Sequence, residues 1–302
     1  MGALERIRED LGRPIAAGRV HSAYLLSGPG EAPAETARWL ARALACQGPG
    51  RAPCDACPSC RRSAPRDEPE LDGTGKKGPL LRHVGDHPDL FWVERGPGDT
   101  RVRIGQVRAL QASLRLRRSE GGRRAAVVAD AEWLNVEAQN ALLRLLEEPP
   151  PETSLILVTS SAAGLLATVR SRCQRYAFPS APSVDPRSAD APEETRDLAA
   201  RLDALAGQSM PDLLDWAEAF RGPRAVAAEE VQQLLATASA WLRADVRGLA
   251  QRGEATAAPT QARLDAFQTL ASCRKELVQR NANPQMVAER ALFALREAAG
   301  AG

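Results

Sequence analysis

Four of the six cysteines lie close together in the sequence, and their spacing is typical of a metal site. Cys46, Cys54, Cys57 and Cys60 follow the pattern C-x7-C-x2-C-x2-C, in which closely spaced thiols can converge on one centre from a tight turn. Zn2+ favours a tetrahedral set of four thiolates at about 2.3 Å, and four protein ligands leave no position for a substrate. The pattern therefore predicts a structural zinc site.

Two alternatives for this cluster stay open on the residues alone. Four unrelated reduced cysteines would need no metal, and an iron–sulfur centre would use the same ligands, although nothing else in the chain indicates redox chemistry. Cys173 and Cys273 stand apart from the cluster, and we expect them to be buried thiols or local sequence requirements rather than ligands.

A second segment has the layout of a phosphate-binding loop without its chemistry. The apolar run His21 to Ser27 predicts a strand, and the turn after it contains Gly28 and Gly30. Thr36 to Ala45 then has the apolar spacing of a helix. A working loop needs backbone N–H groups, a lysine on the β/γ-phosphates and a Ser or Thr on Mg2+. Here the segment contains no lysine, and Pro33 or a neighbour stands in the lysine position.

An acidic element further along the chain is degenerate in the same way. Asp130 ends a predicted strand, Arg124 to Ala129, as the Mg2+-binding aspartate of an ATPase would. Ala131 stands where a catalytic glutamate would follow, and we expect Glu132, one position later, to point elsewhere. No ATP is therefore expected in the chain's own site. A βαβ unit that never bound nucleotide is an equally good interpretation of these residues.

The rest of the sequence predicts an α/β part followed by a helical part. The chain has 44% hydrophobic and 26% charged residues and a formal net charge of +2, which is typical of a folded soluble protein and excludes a polyanion-binding tail. It contains no run of 18 apolar residues and no secretory signal, so no membrane segment is expected. Strands alternate with helices up to Phe178, which indicates a parallel sheet covered on both faces. After a Pro-rich linker at 179–192 the patterns are helical, including helices at 229–249, 262–281 and 284–298.

Several motifs together resemble one protein family. Gln139 to Pro150 (QNALLRLLEEPP) is similar to the NALLK-type helix of bacterial clamp-loader subunits, and Ser171 to Cys173 resembles their SRC motif. His87 to Leu90 (HPDL) and Ile104 to Arg108 (IGQVR) resemble stretches of the delta-prime type. The similarity covers about residues 6–178 and includes the cysteine module. Gamma/tau-type subunits keep an intact phosphate loop, so the chain resembles the delta-prime type of the DNA polymerase III clamp loader.

The resemblance implies a fold, a domain organisation and a role. The expected fold is an α/β AAA+ domain at 1–178, with a P-loop-like parallel sheet and the zinc module at 46–60. A small helical lid domain at 179–222 and an all-α collar domain for oligomerisation at 223–302 would follow. The implied role is that of a non-hydrolysing stator, which lends Arg172 as an arginine finger to a neighbouring ATPase subunit.

The same resemblance implies partners and a location. Gamma/tau and delta subunits would be the neighbours, and the complex would load the sliding clamp on primed DNA during DNA replication, in the cytoplasm and without a membrane. The chain would have no intrinsic ATPase activity, although it would belong to a DNA-directed DNA polymerase holoenzyme. Arg101 to Arg124 contains eight arginines and could face that DNA or form a solvated basic face.

Alternatives remain for the arginine and for the whole chain. Without the resemblance, Arg172 would be interpreted as a surface arginine that caps the preceding helix. Two other functions also stay open, namely an active gamma/tau-type clamp-loader ATPase and a free-standing zinc-containing DNA-binding protein. ATP binding and DNA binding by the purified chain separate these possibilities.

Overall fold

The chain forms two units, and each is described by itself. The computed structural model describes residues 3–97, 99–179, 185–254, 257–279 and 282–300. Contacts between residues group the chain into Met1–Ser180 and Ala181–Gly302. Residues 180–184 of the predicted linker, and the last two residues of the helix predicted at 262–281, lie outside the described ranges. The three-domain division with borders at 178 and 222 stays a prediction.

A six-stranded sheet forms the centre of the first unit, in the order β2-β3-β4-β5-β1-β6. Neighbouring strands are parallel except β2 and β3, which are antiparallel. All residues of β3, β4 and β5 are buried, which explains the apolar runs at 90–93, 125–128 and 155–158. The strands are β1 (Ala23–Ser27), β2 (Arg82–His83), β3 (Leu90–Val93), β4 (Arg124–Val128), β5 (Thr153–Thr159) and β6 (Gln174–Ala177).

Helices of the first unit pack on this sheet and on each other. α2 lies against β1, β4 and β5, and α4 packs on α5. Leu40 and Leu44 of α2 share a buried apolar core with Trp92 and Ile156 of the sheet. The predicted cap of α5 is confirmed, because the Asn135 side chain accepts a hydrogen bond from the Ala138 N–H at 2.9 Å. The helices are α1 (Ala3–Ala16), α2 (Ala32–Ala45), α3 (Pro58–Arg62), α4 (Ile104–Arg115), α5 (Val136–Glu147) and α6 (Ala167–Arg170).

The described part of the second unit is helical, as the sequence predicts. α9, α10 and α11 pack against one another, and α7 and α8 pack on α9 and α11 respectively. Gly253 ends α9 in the left-handed conformation, with φ at 71°. No helix in the described ranges combines the length and the apolar character needed to cross a membrane. The helices are α7 (Glu193–Asp203), α8 (Met210–Glu218), α9 (Arg224–Arg252), α10 (Ala257–Gln279) and α11 (Pro284–Gly300).

Two strands of the sheet are not predicted from the sequence. β2 has only two residues, too few for a periodic pattern. β6 pairs with β1 alone at the edge of the sheet, and three of its four residues are exposed. An exposed edge strand needs no apolar run, so its sequence, QRYA, carries no strand signal. β6 nevertheless positions two residues discussed below, because Phe178 directly follows it and Arg172 lies two residues before it.

Candidate metal centre and degenerate nucleotide site

Four thiols converge at the carboxyl end of α2. Cys46 directly follows α2, Cys57 caps α3, Cys60 lies within α3, and Cys54 lies in the loop between the two helices. Their sulfur atoms all lie within 4.8 Å of one another. Bonds of 2.3 Å in a tetrahedral zinc site place the sulfurs about 3.8 Å apart. The four cysteines therefore could hold a metal ion after a small contraction.

The thiols of this cluster differ in acidity. Burial opposes ionisation of Cys57, but backbone hydrogen bonds from Gln47 and Cys60 and the neighbouring thiols lower its pKa to about 6. Burial raises the pKa of Cys60 to about 12. Backbone hydrogen bonds from Cys57 and Ala56 lower the pKa of Cys54. A metal ion would favour the thiolate at all four positions, because thiolate ligands bind after losing their protons.

A buried histidine connects the cysteine module to the sheet. The Asp89 N–H donates to His87 Nδ1 at 3.2 Å, so Nε2 carries the proton and donates to Ser59 Oγ at 2.6 Å. The Asp89 carboxylate in turn accepts hydrogen bonds from the N–H groups of Ser119 and Glu120. The role of His87 is not predicted from the sequence. Its HPDL motif was a signal, but the partner Ser59 is 28 positions away and only the fold brings it close.

The glycine-rich turn after β1 is closed by its own chain. The Gly28 N–H donates to the Thr159 carbonyl oxygen at 3.0 Å, and the Phe178 N–H donates to the Ser27 carbonyl oxygen at 2.7 Å. A Cβ added to Gly28 would lie 2.6 Å from the Cβ of Phe178, so only glycine fits there. The Gly28 N–H is therefore bonded to the sheet and is not available to a phosphate.

The first turn of α2 is also poor at binding anions. α2 begins at Ala32, four residues before the predicted start, because Pro33 is tolerated in a first helical turn. Pro33 is buried and has no N–H to donate. Glu31 caps the helix without a side-chain hydrogen bond, and Glu35 adds a second negative charge to the end that would face a phosphate. Gly30, in the turn before the helix, has φ at +73°, a left-handed conformation that favours glycine.

The acidic element at the end of β4 is tied to its own chain as well. Asp130 Oδ2 accepts a hydrogen bond from the Arg95 N–H at 3.4 Å and lies 3.7 Å from Arg95 Nε. Burial raises the pKa of Asp130, and the charge of Arg95 opposes this rise. Ala131 follows, and Glu132 points to Ser160, whose N–H and Oγ donate to it at 3.0 and 2.5 Å. One oxygen of each carboxylate is thus engaged within the chain, and Glu132 Oε2 is buried without a hydrogen-bond partner among the described residues.

Arg172 lies on the surface between α6 and β6. Its Nη1 donates to the Thr168 carbonyl oxygen at 2.9 Å, and its Nη2 lies 2.8 Å from Glu147 Oε1 at the end of α5. The side chain is 37% exposed. The contact with Thr168 is the helix cap that the alternative interpretation expects, and the exposure leaves part of the guanidinium accessible to a partner.

The arginine-rich stretch from Arg101 to Arg124 is not a uniform basic face. Arg103 pairs with Asp99, and Arg118 pairs with Glu152. Arg124 is buried and donates to Thr153 Oγ1 and to the Leu116 carbonyl oxygen. Exposed arginines that remain for an anionic partner include Arg108, Arg115 and Arg117.

Comparison with known proteins agrees with the motifs. The family described as "DNA polymerase III, delta subunit" matches residues 4–182. The chain is 34% identical to DNA polymerase III subunit delta' of Pseudomonas aeruginosa over 192 residues, which cover 62% of this chain and 53% of that protein. It is 29% identical to the delta' subunit of Bacillus subtilis over 174 residues, covering 57% and 46%.

Other similarities reach the same group of proteins. The gamma/tau subunit of Mycobacterium tuberculosis is 34% identical over 181 residues, covering 58% of this chain and 27% of that protein. A gamma-subunit-related protein from Thermotoga maritima aligns over 99% of this chain and 100% of its own, at a TM-score of only 0.38 and 16% identity. The chain spans about half the length of the curated delta' relatives that it matches. It belongs to the DNA polymerase III delta subunit family, and its relatives are delta' and gamma/tau subunits.

Proposed function

We propose that this chain is a non-hydrolysing stator of the DNA polymerase III clamp loader and supplies Arg172 in trans to a neighbour's ATP site. One observation carries the proposal. The Gly28 N–H is bonded to the sheet and Pro33 has no N–H, whereas the Arg172 guanidinium, in a side chain that is 37% exposed, keeps N–H groups that its two contacts do not use. Such a chain can assist ATP hydrolysis at the site of a neighbouring subunit without hydrolysing ATP itself.

The first support is the state of the chain's own site. The Gly28 N–H is bonded to β5, Pro33 offers no donor, and Asp130 is paired with Arg95. Phosphate binding at such a loop depends on free N–H groups, a lysine and a metal-binding carboxylate. We therefore expect that the purified chain neither binds nor hydrolyses ATP at its own site.

The second support is the chemistry of arginine. A guanidinium stays charged at all physiological pH values and donates parallel hydrogen bonds to phosphate oxygens. In phosphoryl transfer it stabilises the charge that builds up in the transition state, and an arginine supplied in trans is worth roughly 10³–10⁵ in rate. Arg172 keeps unused N–H groups and an exposed side chain, which suits this task.

Partners and cofactor follow from the same proposal. Gamma/tau and delta subunits would surround the chain, the sliding clamp would be a transient partner, and the assembled complex would contact primed DNA. Exposed arginines on and after α4, such as Arg108, Arg115 and Arg117, offer charge for phosphates of that DNA. One Zn2+ held by the four cysteines would have a structural role only, because four protein ligands leave no open position.

Substitution of the arginine tests the proposal. In a complex reconstituted with its partner subunits, Arg172→Ala should leave assembly intact and lower DNA- and clamp-stimulated ATP turnover at the adjacent site by on the order of 10³. Arg175→Ala is the matched control, since Arg175 is an exposed arginine three positions away, on β6. Unchanged turnover in Arg172→Ala would remove the finger assignment.

A nucleotide titration separates the stator from an active gamma/tau-type ATPase. The purified chain should show no saturable ATP binding in the micromolar range and no turnover, with or without Mg2+. Micromolar binding accompanied by hydrolysis would contradict the proposal and favour the gamma/tau-type function.

A further inference from the structure

Arg172 is anchored by a carboxylate of its own chain, and we propose that Glu147 is a positioning residue for it. This inference rests on the proposed function, because it concerns how the arginine is presented to a neighbour. Glu147 would not touch the nucleotide. It would act through Arg172 by holding the guanidinium in one orientation at the surface.

The geometry of the two contacts supports a fixed orientation. Nη1 is bound to the Thr168 carbonyl oxygen of α6 at 2.9 Å, and Nη2 is bound to Glu147 Oε1 of α5 at 2.8 Å. A guanidinium is planar, so two contacts to different helices define both its position and its plane. The Nε–H and the outer N–H groups stay available for phosphate oxygens.

The place of Glu147 in its helix is unusual without Arg172. Glu147 is the last residue of α5, where the helix dipole is negative and a carboxylate is unfavourable. The charge of Arg172 compensates for this position. Glu148 follows as the helix cap, is exposed, and has no side-chain partner among the described residues. Both glutamates are exposed, and Glu147 is the one that contacts Arg172.

The expected benefit is modest, because the pair is exposed. Glu147 and Arg172 are 49% and 37% exposed, and an ion pair of this kind changes an equilibrium by up to about five-fold. A long arginine side chain loses rotamer freedom when it docks on a phosphate, and prior ordering by Glu147 removes part of that loss. We therefore expect an effect on the turnover number and none on the affinity for ATP.

Three variants in the reconstituted complex test the proposal. Glu147→Ala should lower the stimulated kcat about three- to five-fold and leave KM for ATP unchanged. Glu147→Gln keeps an acceptor oxygen and should lose less, about two-fold. Glu148→Gln is the matched control and should match the wild type. An unchanged or faster Glu147→Ala complex overturns the proposal, and a faster one indicates that the glutamate withholds the arginine.

A double-substitution cycle distinguishes positioning from a merely structural role. If Glu147 acts through Arg172, then Arg172→Ala with Glu147→Ala has the same turnover as Arg172→Ala alone. A further loss in the double variant would mean that Glu147 acts otherwise, and the proposal would fail. Normal turnover in Arg172→Ala itself would defeat the proposed function instead, so the two failures are distinguishable.

Discussion

The two ends of helix α2 differ in the groups that they offer to a ligand. At its carboxyl end, the sulfur atoms of four cysteines lie within 4.8 Å of one another and could hold a metal ion. At its amino end, the turn that would hold a phosphate is bonded to β5 and pressed against Phe178. One helix thus carries four candidate metal ligands at one end and, at the other, a turn whose Gly28 N–H is already bonded to the sheet. A binding site is therefore defined by its free donors and acceptors rather than by the helices and strands that carry it.

Removal of a ligand at the carboxyl end should have the largest effect. Zinc binding is worth on the order of 10 kcal/mol in zinc-finger peptides, so Cys60→Ser should lose most of the metal. We expect one zinc per chain in the wild type, far less in the variant, and an unfolding temperature about 10 °C lower. Elemental analysis and calorimetry measure both. Cys173→Ser, outside the cluster, should keep its metal, and a full metal content in Cys60→Ser would contradict the assignment of Cys60 as a ligand.

The support of the cysteine module should matter next. His87→Ala removes a buried ring together with its bonds to Ser59 and Asp89, which should destabilise the chain by about 3 kcal/mol in urea unfolding. His83→Ala is the control and should cost less than about 1 kcal/mol, because His83 is only half-buried. Equal losses in both variants would show that His87 does not connect the module to the sheet.

The pH dependence of stability should also depend on His87. Burial lowers the pKa of His87, against the opposing charge of Glu120. The unfolded chain, with a histidine pKa of about 6.5, therefore takes up a proton before the folded chain does. Stability is complete above that value and is lost as the pH falls through the lowered pKa. Urea titrations at pH 7.5 and 5.5 should reveal this slope, and His87→Ala should have a shallower one.

Loss of the carboxylate that follows β4 should matter little for stability. Asp130→Asn should change stability at pH 7 by less than about 1 kcal/mol, because the pair with Arg95 is partly exposed. Burial raises the pKa of Asp130, so the folded chain binds a proton where the unfolded chain does not. Wild-type stability should therefore fall as the pH rises from about 4 through the raised pKa, and Asp130→Asn should lack this component. If wild-type stability instead rose relative to that of Asp130→Asn over this pH range, the raised pKa of Asp130 would be contradicted.

A lysine placed in the first turn of α2 should have the smallest effect of all, because ATP affinity should hardly change. Pro33→Lys returns the missing cation, but the Gly28 N–H remains bonded to Thr159 and Asp130 remains paired with Arg95. We expect ATP affinity to stay weaker than about 1 mM, which corresponds to roughly −4 kcal/mol. Calorimetric titration with Mg-ATP measures this. Micromolar binding would mean that the loop is one residue away from function.

The sequence predicts local chemistry well and long-range contacts poorly. The cysteine cluster follows from four residues within a span of fifteen positions, and its convergence needs only a turn. The missing lysine and Ala131 are likewise properties of short segments. By contrast, the contact between Gly28 and Phe178 depends on β6, an edge strand whose exposed residues carry no pattern.

Ion pairs between residues far apart in the sequence are also not predictable from the sequence. Arg95 could have paired with several acids, and only the fold selects Asp130. The partner of Arg172 is Glu147, 25 positions earlier, because α6 and β6 place the arginine beside the end of α5. Residue types therefore indicate what chemistry is possible, and the tertiary structure decides which groups are already used.

The close approach of Gly28 and Phe178 limits how this chain could come to bind a nucleotide. A nucleotide would need the space and the N–H that this backbone contact occupies, so side-chain reversions at the other positions cannot rebuild the loop by themselves. The edge of the sheet would have to move first, at a cost in stability and with no immediate gain. Under the proposed function, this backbone contact would keep the turn closed to nucleotides even after its side chains were replaced.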